Sequence, residues 1–133
     1  MLTNGALQCI QNDFLSYCRF DSFFTERLVN ICDHAHFDGY LVNIEIPYIP
    51  PNLLRMLPSF LKKLRDGLHE LNPDAQVIWY DSIDSRGYLN YQNKVSRENQ
   101  EWFRCVDGLF LNYWWTPEDL NSSVLLAKSR LLF

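Results

Sequence analysis

This chain has no surplus of positive charge: 12 lysines and arginines stand against 16 aspartates and glutamates, for a net charge of −4. A nucleic-acid partner would want a basic face, so that class is excluded. Lys62, Lys63 and Arg65, the densest basic cluster, read as the solvated face of a helix. No run approaches the roughly 20 apolar residues that cross a bilayer. Met1 to Ile10 lacks the charged and long apolar regions of a signal peptide, so neither a membrane partner nor secretion is expected. The 4 cysteines (Cys9, Cys18, Cys32, Cys105) form no CxxC pair. Without a secretory signal they read as free thiols in a reducing, cytoplasmic setting, and the sequon Asn121-Ser122-Ser123 is then incidental. No GxGxxG or GxxxxGK[ST] loop follows a strand, which removes the phosphate-cradling nucleotide folds. His34-Ala35-His36 lacks a third ligand at a metal-binding spacing, and no cysteine has an interpretable histidine partner. No metal, cofactor or thiol chemistry is therefore expected.

What is present is an ordered domain, 47% hydrophobic and 15% aromatic, with enough residues for a core. A strand-then-helix rhythm runs from about Ser22. Helical spacing of Phe24, Leu28 and Ile31 predicts a helix over 22–34. A strand, Phe37 to Glu45, follows, and Pro47, Pro50 and Pro51 then hold an extended loop. Leu57, Phe60, Leu61, Leu64, Leu68 and Leu71 form the stripe of a helix ending at Asn72-Pro73. Pro58 is either its first-turn proline or a kink. A second strand spans Gln76 to Asp81, Ser96 reads as the N-cap of a helix through Phe103, and a third strand spans Asp107 to Tyr113. Thr116-Pro117-Glu118-Asp119 starts the last helix with a cap, a proline and an acid.

Three strands, each followed by a helix, are consecutive βα units of an α/β fold. An open three-layer sheet and a (βα)₈ barrel both fit. The lack of a phosphate loop, and a length about half of the roughly 250 residues of a whole barrel, favour one partial TIM-barrel domain with three parallel strands and flanking helices.

Strand alternation places Asn43 and Glu45 on one face and Tyr40, Val42 and Ile44 on the other. A buried strand has no structural use for a carboxylate at its end, whereas active sites of parallel α/β proteins sit there. Glu45 is thus the leading catalytic candidate, with Asn43 beside it. Tyr80 and Asp81 end the next strand at the same level. Tyr91, Trp114 and Trp115 lie in the following loops, where aromatics stack on sugar rings, although core packing explains an aromatic more often.

Taken in order, Phe37-Asp38-Gly39-Tyr40-Leu41-Val42-Asn43-Ile44-Glu45, Trp79-Tyr80-Asp81-Ser82, Tyr91-Gln92-Asn93 and Asp107-Gly108-Leu109-Phe110-Leu111-Asn112-Tyr113 resemble family 85 of the glycoside hydrolases, the cytosolic endo-β-N-acetylglucosaminidases. They look like the fourth to sixth strands of that family's barrel, over about Phe24 to Val124; Met1 to Asp21 matches no part of the pattern. The related chitinase pattern DGxDxDxE keeps Asp38 and Glu45 here but has Leu41 and Asn43 in place of its other acids. That replacement favours family 85.

The resemblance implies cleavage between the two core GlcNAc residues of an N-glycan, carried on a free oligosaccharide or a glycoprotein. The substrate's own 2-acetamido oxygen attacks the anomeric carbon, so no nucleophilic carboxylate is needed. Asn43 would hold the acetamido group, Tyr80 would bond near the intermediate, and Glu45 would serve as acid and then base. Asp81, Tyr91, Asn112, Trp114 and Trp115 would contact substrate. Tyr91 stands where the family usually has tryptophan. Nothing resembles the family's remaining strands. A half-barrel would leave sheet edges open to self-association, and the alternative reading is a glycan-binding or interaction module that does not cleave.

Overall fold

The computed structural model describes residues 21–130. Helix α1 (Asp21–Ala35) leads into strand β1 (Gly39–Val42); α2 (Pro51–Leu54) and α3 (Leu57–Leu71) precede β2 (Gln76–Tyr80); α4 (Gln100–Cys105), β3 (Gly108–Phe110) and α5 (Pro117–Arg130) follow among the described residues. The strands form one parallel sheet in the order β1-β2-β3, with Leu41 opposite Ile78 and Tyr80 opposite Phe110. The expected α/β rhythm is present. The segment 1–20, including Cys9 and Cys18, lies outside the described residues, while Cys32 is a buried free thiol.

Among the described residues, helices cover only one face of the sheet. Val77 and Trp79 are wholly buried on it, beneath α3 and α4, with the Trp79 and Trp102 rings 6.0 Å apart. From α3, Leu57, Phe60, Leu61, Leu64 and Leu68 are buried. Pro58 sits in the first turn of α3, where its missing N–H costs no helical bond, so it is a first-turn proline and not a kink. Two positions of the expected stripes fall outside the core. Leu71, the last residue of α3, is 54% exposed, and Ile31 on α1 is 52% exposed. Leu28, Val29 and Cys32 take the inward face of α1 instead, and the Tyr40 hydroxyl, from β1, bonds to the Leu28 carbonyl (2.7 Å). Among the described residues nothing covers the opposite sheet face, where Leu41 is 56% and Phe110 45% exposed.

β1 and β3 are shorter than their apolar runs. The β1–β2 ladder stops at the Val42–Trp79 pair because β2 turns away after Tyr80. Ser82 Oγ then donates to the Ile44 carbonyl (2.7 Å), holding the next stretch of chain alongside without a ladder. Gly39 admits no side chain: its φ is +138°, and a Cβ would meet the Gln76 carbonyl oxygen at 1.9 Å.

The loops leaving β1 and β2 are zipped together. Ile49 N–H donates to the Gly87 carbonyl (2.8 Å), Leu89 N–H donates to that of Pro47 (3.2 Å), and the Tyr48 and Tyr88 rings lie 4.9 Å apart. Gly87, at φ +88°, allows this approach, since a Cβ would sit 2.5 Å from the Ile49 oxygen. Buried Asp84 shapes the tip. It accepts from the main-chain N–H groups of Arg86 and Tyr88 and pairs with the Arg86 guanidinium (2.8 Å). Burial alone would raise its pKa, but these partners together hold it below the usual range.

Ser96 does cap a turn, though one turn ahead of α4. Its Oγ accepts from Glu98 N–H, and its own N–H donates to Asn99 Oδ1. At α5 the expected cap is made: Asp119 N–H donates to Thr116 Oγ1 (3.2 Å), and Thr116 N–H donates back to Asp119 Oδ2 (3.0 Å). Lys94 Nζ adds an ion pair at 3.0 Å. Lys94 first, then the Thr116 bonds, lower the Asp119 pKa to about 2. A depressed carboxyl stabilises the fold above its unfolded value of roughly 3.9 and loses that contribution as pH falls through the folded value. Asp119→Asn is therefore expected to flatten the fall in melting temperature between about pH 4 and 2, measured by melts at stepped pH.

Candidate active site

The C-terminal edge of the sheet brings Glu45, Tyr91, Tyr80 and Asn112 together from three strand ends. Glu45 and Asn43 follow β1 and are exposed. Glu45 Oε1 accepts a hydrogen bond from Tyr91 Oη at 3.0 Å, across 46 residues of sequence. Tyr91 comes from the zipped loop after β2, and its ring lies 6.1 Å from that of Tyr80. Burial, then the bond to Glu45 and its charge, push the Tyr91 phenol up to about 12. Tyr91 thus remains a neutral donor to the carboxylate.

Tyr80 closes β2 on the open face, half-roofed by Tyr91 and flanked by Phe110 (ring centroids 6.0 Å). Its hydroxyl donates to Asn112 Oδ1 at 2.9 Å. Burial chiefly, then the charges of Glu45, Tyr113 and Asp81, raise its pKa. Tyr80, Glu45, Tyr91 and Asn112 therefore share one patch.

Asp81 is placed differently from the expectation that it contacts substrate. It is 1% exposed. Its Oδ2 accepts from the main-chain N–H groups of Gln92 (3.0 Å) and Asn93 (2.6 Å), and its Oδ1 accepts from Asn99 Nδ2 (2.9 Å). Burial raises its pKa, and these bonds oppose that rise. Strand alternation turns Tyr80 and Asp81 to opposite sides, so Asp81 anchors the Tyr91 loop from beneath.

The two tryptophans differ less than alternation would suggest, because 113–114 form a turn and not an extended strand. Trp114 is 80% and Trp115 48% exposed. Trp114 is tied to the patch through its main-chain N–H, which donates to Asn93 Oδ1 (3.1 Å). Two residues beyond those expected belong here. Tyr113 packs edge-on against Phe110 at 6.2 Å and acts on Tyr80 electrostatically, and Asn93 bridges the loops after β2 and β3. Asn93 lay within the quoted motif; its φ of 58° belongs to the left-handed region that asparagine tolerates, and no sequence pattern marks that in advance.

The arrangement offers one solvent-facing carboxylate held by a phenol, beside a second phenol and an amide. The model of glycosyl hydrolase family 85 matches residues 5–131.

The chain belongs to this family. The mouse protein named cytosolic endo-beta-N-acetylglucosaminidase is 39% identical over 106 residues, covering 80% of this chain and 14% of the mouse protein. The human protein of that name is 38% identical over 110 residues, 79% of this chain and 14% of its own length. In Arabidopsis thaliana, cytosolic endo-beta-N-acetylglucosaminidase 2 is 36% identical over 107 residues, 80% of this chain and 15% of its own. This family 85 chain thus spans about one seventh of the length of the curated relatives it matches. No helix among the described residues is long and apolar enough to cross a membrane.

Proposed function

We propose that this chain carries the acid/base of an endo-β-N-acetylglucosaminidase acting on N-glycans in the cytosol, on three consecutive strands of a (βα)₈ barrel. The barrel reading is supported by the sheet itself. A doubly wound sheet carries helices on both faces, whereas the described residues pack one face and leave the other open, with the candidate residues at its rim. Self-association through the open edges belongs to the same reading.

The single observation that carries the function is the Tyr91–Glu45 hydrogen bond, 3.0 Å long, at a strand's C-terminal edge. It fixes an exposed carboxylate close enough to Tyr80 to act on its phenol, two residues along the chain from Asn43. The neighbouring strand-end carboxylate, Asp81, is spent on its own loop. That supports a mechanism with one working carboxylate, in which the substrate's acetamido oxygen is the nucleophile. Asn43 then orients the acetamido group against the anomeric carbon. Glu45 protonates the departing oxygen of the second GlcNAc and, after the oxazoline forms, takes a proton from the incoming water. Exposed Trp114 and Trp115 offer stacking faces for the glycan.

The test is incubation of the purified chain with a high-mannose glycopeptide and mass spectrometry of the products. A peptide retaining a single GlcNAc is the expected result. An intact glycopeptide that nonetheless binds the chain would overturn cleavage and leave a binding module, a reading favoured by the one-seventh span against the relatives.

A further inference from the structure

The hydrogen-bond directions around Tyr80 can be worked out from one main-chain group. Trp114 N–H donates to the Asn93 side chain at 3.1 Å. A main-chain N–H only donates, so the Asn93 atom it meets is the oxygen and not the amide nitrogen. The nitrogen accordingly turns the other way, toward the Tyr91 carbonyl (3.5 Å). The same Asn93 oxygen lies 3.1 Å from the Asn112 side chain, whose atom there must therefore be the NH₂ group. That leaves Asn112 Oδ1 facing Tyr80 Oη at 2.9 Å. An amide oxygen only accepts, so the single proton of Tyr80 is committed to Asn112. What Tyr80 presents to the open site is lone pairs.

We infer that Asn93 is a positioning residue: by locking the Asn112 amide it makes Tyr80 a hydrogen-bond acceptor toward the site, selecting a ligand that brings an N–H or O–H donor there. On the proposed function, that donor is the N–H of the 2-acetamido group. Accepting from it leaves electron density on the acetamido oxygen, the atom that must attack. The ligand's identity rests on that reading, whereas the amide orientation rests on the hydrogen bonds alone. Asn93 is suited to the lock because its main-chain N–H is held by buried Asp81 at 2.6 Å.

Two isosteric substitutions should differ in stability. Asn93→Asp keeps an oxygen for both donors. Asn112→Asp sets a carboxylate against the Asn93 oxygen and removes the donor, and Asn93→Ala removes the lock. The probes are N,N′-diacetylchitobiose and its analogue with 2-O-acetyl in place of acetamido, which lacks the N–H. Wild type and Asn93→Asp are expected to favour the acetamido probe by about tenfold, as one well-placed hydrogen bond would. Asn93→Ala and Tyr80→Phe are expected to lose that preference, whereas Asn112→Asp, whose carboxylate still accepts the Tyr80 proton, is expected to keep it. Equal affinity of wild type for both probes, or an undiminished preference in Asn93→Ala, overturns the inference. If no form binds either probe, the proposed function fails and melting temperatures decide the orientation. A midpoint for Asn112→Asp about 5 °C below that of Asn93→Asp upholds the lock; the reverse order refutes it.

Discussion

Glu45→Gln is expected to lower the rate of glycan release by about 10²–10⁴-fold, the usual contribution of a positioned acid/base. The melting temperature should stay within roughly 2 °C of wild type, since surface changes rarely exceed about 0.5 kcal/mol. The two readouts separate because of where Glu45 sits. It is exposed, and its one recorded side-chain bond is accepted from Tyr91. A glutamine oxygen accepts that bond equally well, so the loop keeps its place and only the exchangeable proton is lost. Time courses of the single-GlcNAc peptide by mass spectrometry, paired with thermal melts, check both. A glutamine variant that cleaves at the wild-type rate would remove Glu45 from the chemistry and with it the proposed mechanism.

Asp81→Ala is expected to show the reverse, a loss of stability with the acid itself untouched. Removing the carboxylate strands the N–H groups of Gln92 and Asn93 and the amide of Asn99, all of which it now satisfies. An unsatisfied buried donor costs about 1–3 kcal/mol, so the variant should lose roughly 3–5 kcal/mol, at the upper end for single substitutions. The melting temperature should fall by about 10 °C or more. Asp81→Asn should fall between the two, because its oxygen still serves one side while its NH₂ faces the Asn99 NH₂. Glycan binding should weaken as well, as the Tyr91 loop loses its anchor. An alanine variant that melts with wild type would show that the carboxylate does not hold the loop.

The βα rhythm was readable because each element announces itself locally. Stripes such as Leu57 to Leu68 have a helical period, the strands are short apolar runs, and Thr116-Pro117-Glu118-Asp119 carries its cap in its own sequence. Family membership was readable for a related reason: the motifs occur in order along the chain. The misreadings lie where periodicity leaves a choice. Ile31 and Leu71 fit the helical spacing, yet the neighbouring turns filled the core first. The strands stopped short because a ladder needs a partner, and β2 turns away at Asp81.

The sequence by itself determined the residue types at the strand ends, the carboxylate and amide of Glu45 and Asn43, and the family to which they belong. The tertiary structure alone decided what each residue does there. Asp81 went beneath the loop because the N–H groups of Gln92 and Asn93 fold back onto its carboxylate, while Tyr80 meets Tyr91 and Asn112 on the site side. Tyr91 met Glu45 across 46 residues, and Tyr80 met Asn112 across 32. Burial and hydrogen-bond direction are properties of pairs brought together by folding, and no local pattern encodes them.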